Sequence, residues 1–154
     1  MGEYTELNIS IRVENNPNVL DILRVMVSDN KDELDISKIS IPAHPFFKSE
    51  GWQYMLTGYS MYFDHTDGSS LVNKTPYEND PKNYIFILNV RCDLKDYNDE
   101  IENFLDWIYT YSKTEGFIGY KRTDNPYDDG PTLIYFTNEG VTYKHIPGLH
   151  VIKY

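Results

Sequence analysis

Residues 83–113, NYIFILNVRCDLKDYNDEIENFLDWIYTYSK, change hydrophobic period midway, and no other feature of the chain constrains its fold as tightly. Residues 84–90 carry apolar or aromatic side chains on both faces, the pattern of a strand covered on both sides. Further on the period becomes helical. Ile101, Phe104, Leu105, Ile108 and Tyr111 share one face, and Asp99, Glu100, Glu102, Asn103 and Asp106 the other. Asn98 is placed to cap this helix, with Asp99, Glu100 and Glu102 bringing negative charge to its positive first turn. A strand feeding an amphipathic helix defines an architecture and assigns no chemistry.

The rest of the chain extends that plan. In residues 7–13, Leu7, Ile9, Ile11 and Val13 alternate with Asn8, Ser10 and Arg12, predicting a strand with one buried and one wet face. Asn16 as cap and Pro17 in the first turn open a helix that buries Val19, Ile22, Leu23 and Met26 and ends near Asp29-Asn30. Residues 34–41 predict a short edge strand or an extended packed segment, and Pro42 and Pro45 oppose a helix. Residues 52–56 and 59–63 read as two short strands around Thr57-Gly58, followed by a polar surface loop over 64–81. Strands follow at 117–120, 132–137 and 141–145. The last two form a hairpin across Asn138-Glu139-Gly140, and the tail, 147–154, is a further edge-strand candidate. Each half reads strand, Asn-initiated helix, antiparallel strands. The expectation is one α+β domain over residues 1–154, with two amphipathic helices packed on one face of an antiparallel or mixed sheet. A duplicated, ferredoxin-like arrangement is one form this can take.

Acidic side chains number 24 against 14 basic ones, a formal charge of -10. That balance argues against binding a nucleic-acid backbone or an anionic membrane surface, both of which need clustered cations. It leaves either simple solubility or steering onto a basic partner, such as a nucleic-acid-binding enzyme. Hydrophobic residues at 40% supply enough apolar surface for a core. The single cysteine, Cys92, rules out an internal disulfide and a thiolate-rich zinc site, and at a strand end it reads as a small apolar residue. No cationic leader and no bilayer-length apolar run is present, so the expected location is the cytoplasm.

The candidate chemistry is sparse. His44, with Asp64 and His65, offers two imidazoles and a carboxylate for a divalent metal or for hydrolysis. No metalloenzyme spacing links them, and a turn histidine and a solvated loop histidine account for both. Asp124, Asp128 and Asp129 are broken up by prolines and make a turn better than a calcium loop. No phosphate-loop, dinucleotide or nucleophile-elbow motif occurs, so no cofactor is implied and catalysis is without support. The chain has 14 Tyr, 7 Phe and 2 Trp, more phenols than one small core hides. Tyr54, Tyr62 and Tyr127 with Asp64, Asp128 and Asp129 are therefore candidates for an acidic, Tyr-rich docking face. Arg91 and Lys95 (with Lys121 and Arg122 as further cations) could instead hold a small nucleotide between aromatic walls, within one chain or between subunits of a homo-oligomer.

Two segments, HPFFKSEGWQYMLTGYSMYF and LNVRCDLKDYNDEIENFLDWI, resemble a family of small proteins encoded by bacteria and their phages. The matching elements are His44 to Phe47, Trp52 with Met55 and Leu56, Tyr62-Phe63, and the strand-helix unit over 89–108. The resemblance implies a phage or prophage accessory protein, a setting in which small acidic proteins antagonise host defences; it implies no activity. It places first a non-enzymatic inhibitor acting through its acidic face. A protein that sequesters a nucleotide signal comes second, and a metal-dependent hydrolase using His44, Asp64 and His65 third. A toxin-neutralising immunity protein would share the surface physics of the first.

Overall fold

A computed structural model describes residues 4–28, 35–59, 63, 68–96, 99–124 and 130–148. Its centre is an antiparallel sheet of six strands: β1 (Thr5–Val13), β2 (Ser70–Asn73), β3 (Phe86–Leu94), β4 (Gly116–Thr123), β5 (Thr132–Thr137) and β6 (Gly140–His145). Their order is β2-β3-β1-β4-β5-β6, with every neighbouring pair antiparallel. Helix α1 (Pro17–Val27) follows β1, and α2 (Glu100–Tyr109) follows β3. The first four strands and two helices thus take the ferredoxin-like split arrangement, and the β5-β6 hairpin widens the sheet beyond β4. The two halves of the chain interleave, because β1 of the first half lies between β3 and β4 of the second.

Local chemistry explains the helices. The Asn16 carboxamide accepts the Asn18 and Val19 amides at 3.2 and 3.3 Å, and Pro17 opens α1, as the sequence predicts. At α2, Asn98 lies outside the described residues. The cap position is Asp99, left-handed at φ 57° with no side-chain cap bond. Asp96 supplies the missing acceptor instead, its Oδ1 taking the Ile101 N–H at 3.0 Å.

Both helices pack on one face. Leu7, Ile9, Ile11 and Val13 of β1 meet Phe86, Leu88, Val90 and Cys92 of β3 there, under Val19, Ile22, Leu23 and Met26 of α1 and the apolar face of α2. Strand β3 differs from the sequence expectation. It begins at Phe86 and alternates, burying Phe86, Leu88, Val90 and Cys92 while Ile87, Asn89 and Arg91 stay half-exposed, so only one face is helix-covered. Residues 52–57 also differ: they form a 3-10 helix, Trp52–Thr57, that buries Trp52, Met55 and Leu56 on the helix side. The second strand of the sheet comes instead from Ser70–Asn73, within the stretch that reads as a polar loop. Four residues with a half-exposed pattern carry too little hydrophobic signal to stand out.

The HPFF segment is a short 3-10 helix, Pro45–Lys48, and Phe46 is the hub of an aromatic cluster. Its ring centre lies 5.2 Å from Phe47, 6.1 Å from Trp52, 5.4 Å from Phe104 and 5.8 Å from Trp107. His44 fastens this segment to α2. Its Nδ1 accepts the Phe46 N–H at 3.1 Å and its Nε2 lies 2.8 Å from Asp106 Oδ2. The His44 to Thr57 stretch and α2 therefore pack against each other.

Candidate functional site

Among the described residues, the opposite face of the sheet has no helix. The register of β1 turns Glu6, Asn8, Ser10 and Arg12 onto it, beside Asp93, Arg91, Asn89 and Ile87 of β3. β4 contributes Tyr120 opposite Asn8 and Arg122 opposite Glu6. The face is thus built in cross-strand rows: Ser70–Asn89–Ser10, then Arg91–Asn8–Tyr120, then Asp93–Glu6–Arg122.

The third row is closed. Glu6 and Asp93 are only 4% and 1% exposed, Arg122 Nε donates to Glu6 Oε1 at 2.9 Å, and the Phe63 ring lies 5.0 Å from the guanidinium. Burial of such a charge is tolerated because the pair is hydrogen-bonded. Gly58 permits the chain to cross here, its backbone meeting Asp93 so closely that a Cβ would lie 2.6 Å from the Asp93 carbonyl oxygen.

The first two rows stay open and form the floor of a groove of about 510 Å³, walled by Gly68, Ser70 and Phe117. That volume suits a small ligand. Its described lining has one cation, Arg91, and no carboxylate, in a chain of charge -10. Ser69 Oγ accepts the Arg91 N–H at 3.0 Å and so holds the wall to β3. Asn8 Nδ2 donates to the Tyr120 hydroxyl at 3.4 Å. Burial, then the Glu6 charge and a hydrogen bond to Glu6, raises the Tyr120 phenol above its ordinary value, so it stays neutral at physiological pH.

A bulge shapes the wall. Phe117 pairs with Tyr135 while Gly119 pairs with Ile134, so Ile118 is an extra residue in β4. Uninterrupted alternation from Gly119 would point Phe117 into the helix-covered face. The bulge instead turns it onto the open face, where it is 56% exposed and its ring lies 5.6 Å from Tyr135. Gly119 makes this feasible. At φ 150° it lies against β1 so tightly that a Cβ would come within 2.0 Å of the Asn8 carbonyl oxygen.

The candidate residues of the sequence are dispersed. Arg91 is in the groove. Lys95 lies beyond β3, its ammonium 5.4 Å from the Tyr4 ring centre. Tyr54 is 60% exposed in the Trp52–Thr57 helix, on the other side of the sheet. Tyr62, Asp64, His65, Tyr127, Asp128 and Asp129 lie outside the described residues. Both ring nitrogens of His44 are engaged within the fold, and among the described residues no three His, Cys, Asp or Glu side chains are grouped to hold a metal ion. Cys92 is fully buried, and desolvation followed by the Asp93 and Glu6 charges pushes its thiol upward, away from thiolate chemistry.

A second polar cluster sits on the helix side. Glu102 is ion-paired with Lys121, whose ammonium lies 5.1 Å from the Tyr143 ring centre. Burial pushes Glu102 upward, but Lys121 outweighs it and leaves the carboxyl lowered. Asp96, next to Glu102, is raised to about 6 by burial foremost and by the Glu102 charge, against the Ile101 N–H, which lowers it. Burial and the charges of Glu102, Asp106 and Asp96 raise Tyr143. These groups hold the first turn of α2 against β4 and β6.

Asn8, Ser10, Asn89, Phe117 and Tyr120 carry no functional signal in the sequence. The alternation in β1 marks Asn8 and Ser10 as wet, yet only the strand order shows that Asn89, Arg91 and Tyr120 flank them. No protein family, curated protein or solved structure matches the chain. No helix among the described residues is long and apolar enough to cross a membrane.

Proposed function

We propose that this chain is a non-enzymatic binding protein that holds a small organic anion bearing a flat ring in the groove on the uncovered sheet face. The observation that supports this best is the groove's described lining. It combines one guanidinium, an exposed ring turned outward by a bulge, and several uncharged hydrogen-bonding side chains, with no carboxylate. A guanidinium recognises a planar oxyanion by two parallel hydrogen bonds, and the ring offers a stacking surface. In a phage-borne setting, such capture would withdraw a small signal from a host defence. The test is thermal unfolding against a panel of ring-bearing carboxylates, sulfonates and phosphates. At least one should raise the Tm of the wild type and leave Arg91→Gln unmoved. No rise with any of them, or an equal rise in the variant, defeats the reading.

A second reading has its own support. No tyrosine among the described residues is fully buried, and Tyr54 and Tyr59 are 60% and 72% exposed. Phe, Trp and aliphatic residues build the core in their place, leaving phenols among the surface carboxylates, as docking onto a basic partner would require. Partner binding through that surface should weaken steeply with salt and be indifferent to Arg91→Gln.

A further inference from the structure

We propose that the groove's ligand is a free nucleoside monophosphate, its base stacked on Phe117 and its phosphate held by Arg91, an inference that rests on the groove being a ligand site. Strands β3 and β4 are separated by β1, so the Arg91 and Phe117 sides of the floor lie two strand spacings apart, roughly 10 Å. That separation leaves room for one ring, one sugar and one phosphate, and the volume of about 510 Å³ agrees.

Charge sets the phosphate count. The described lining has a single cation, and the chain as a whole carries -10. A second or third phosphate would enter that field with no further described cation to meet it. The same argument disfavours an RNA strand, whose successive phosphates need a row of basic residues. The middle of the floor fits the sugar. Asn8 and Ser10 of β1 present amide and hydroxyl groups between the two anchors, with the Asn89 amide beside them on β3. Stacking on Phe117 is tolerant of base identity, because every base has a flat face.

The bulge supplies the independent structural argument. β4 departs from regular pairing where that departure exposes a large aromatic side chain on the wall of the groove that Arg91 also lines. Exposing it opposes the burial that an apolar ring favours, and a base laid on the ring would restore it.

The experiment is calorimetric titration of the whole chain with AMP, GMP, CMP and UMP, and with adenosine, ribose 5-phosphate, ATP and a tetranucleotide RNA as comparators. At least one monophosphate should bind at least tenfold more tightly than each comparator. Phe117→Ala and Arg91→Gln should each weaken it about tenfold or more while circular dichroism shows both variants folded at the titration temperature, and Arg91→Lys should recover only part of the loss. Ribose 5-phosphate binding as well as the monophosphate removes the stack; adenosine binding as well removes the phosphate clamp. Tighter binding of ATP or of the RNA overturns the single-phosphate assignment. If no monophosphate binds but another anion of the panel raises the Tm through Arg91, the ligand class is wrong and the groove assignment stands. If nothing binds, both fall.

Discussion

Along β1, the residues on one face and those on the other meet different demands. Leu7, Ile9, Ile11 and Val13 vanish beneath two helices, while Asn8, Ser10 and Arg12, alternating with them, stay at least partly open to solvent on a face where no described helix packs. The covered face also gathers Phe46, Phe47, Trp52, Met55, Leu56 and the apolar side of α2, held to the His44 segment. Their shared role is packing. The uncovered face is where side chains can be chosen for something other than stability, and the groove lies there.

The largest expected effect should break the covered face alone. Phe46→Ala removes the hub of the aromatic cluster and should cost about 3–5 kcal/mol in urea unfolding. A cost below about 1 kcal/mol would show that the cluster is not the core it looks like. Gly119→Ala probes the joint between the faces. Its Cβ would collide with the β1 backbone, so strand pairing must yield, at about 1–3 kcal/mol by the same measurement, with ligand response lost as Phe117 shifts. An unperturbed Tm would show that the bulge has room to spare.

Acidity sharpens the comparison from the helix side. Asp96 has an ordinary value of 3.8 and is raised to about 6 in the fold, which therefore holds the proton more tightly than the unfolded chain does. The stability it adds is full below about pH 4 and is lost as pH rises through about 6. Asp96→Asn keeps the acceptor for the Ile101 N–H and supplies a permanent donor toward Glu102. The variant should thus be more stable than the wild type above about pH 6, the gap closing toward about pH 4, as read from urea midpoints across that range. Parallel pH profiles would refute this. The smallest effect belongs to the uncovered face. Phe117→Ala should shift stability by no more than about 0.5 kcal/mol, and a larger loss would mean that the groove wall is part of the scaffold.

Hydrophobic period makes the scaffold readable. The Asn16 cap, the buried stripes of α1 and α2, β1, and the hairpin across Asn138-Glu139-Gly140 all stand where local pattern puts them, because each is decided by residues close in sequence. Trp52–Thr57 misleads because its apolar residues suit a strand as well as a short helix packed on α1. Ser70–Asn73 is too short and too polar to signal. The groove is less legible still. Arg91 stands out in the sequence by its charge, but its neighbours Asn8 and Tyr120 are 83 and 29 positions away from it in the chain, and pairing across strands brings them together. A bulge that re-aims Phe117 leaves no trace in composition or spacing. The nearest clue is Gly119, and a lone glycine within a strand marks a bulge, a bend or a close backbone approach alike.

The most direct test of the division between the two faces is an amide-shift map by nuclear magnetic resonance, taken with whichever anion of the panel raises the Tm most. The account predicts shifts concentrated on Asn8, Ser10, Asn89, Arg91, Phe117 and Tyr120, with Phe46, Trp107 and the rest of the helix layer still. Shifts centred on α2 and the His44 segment would contradict it.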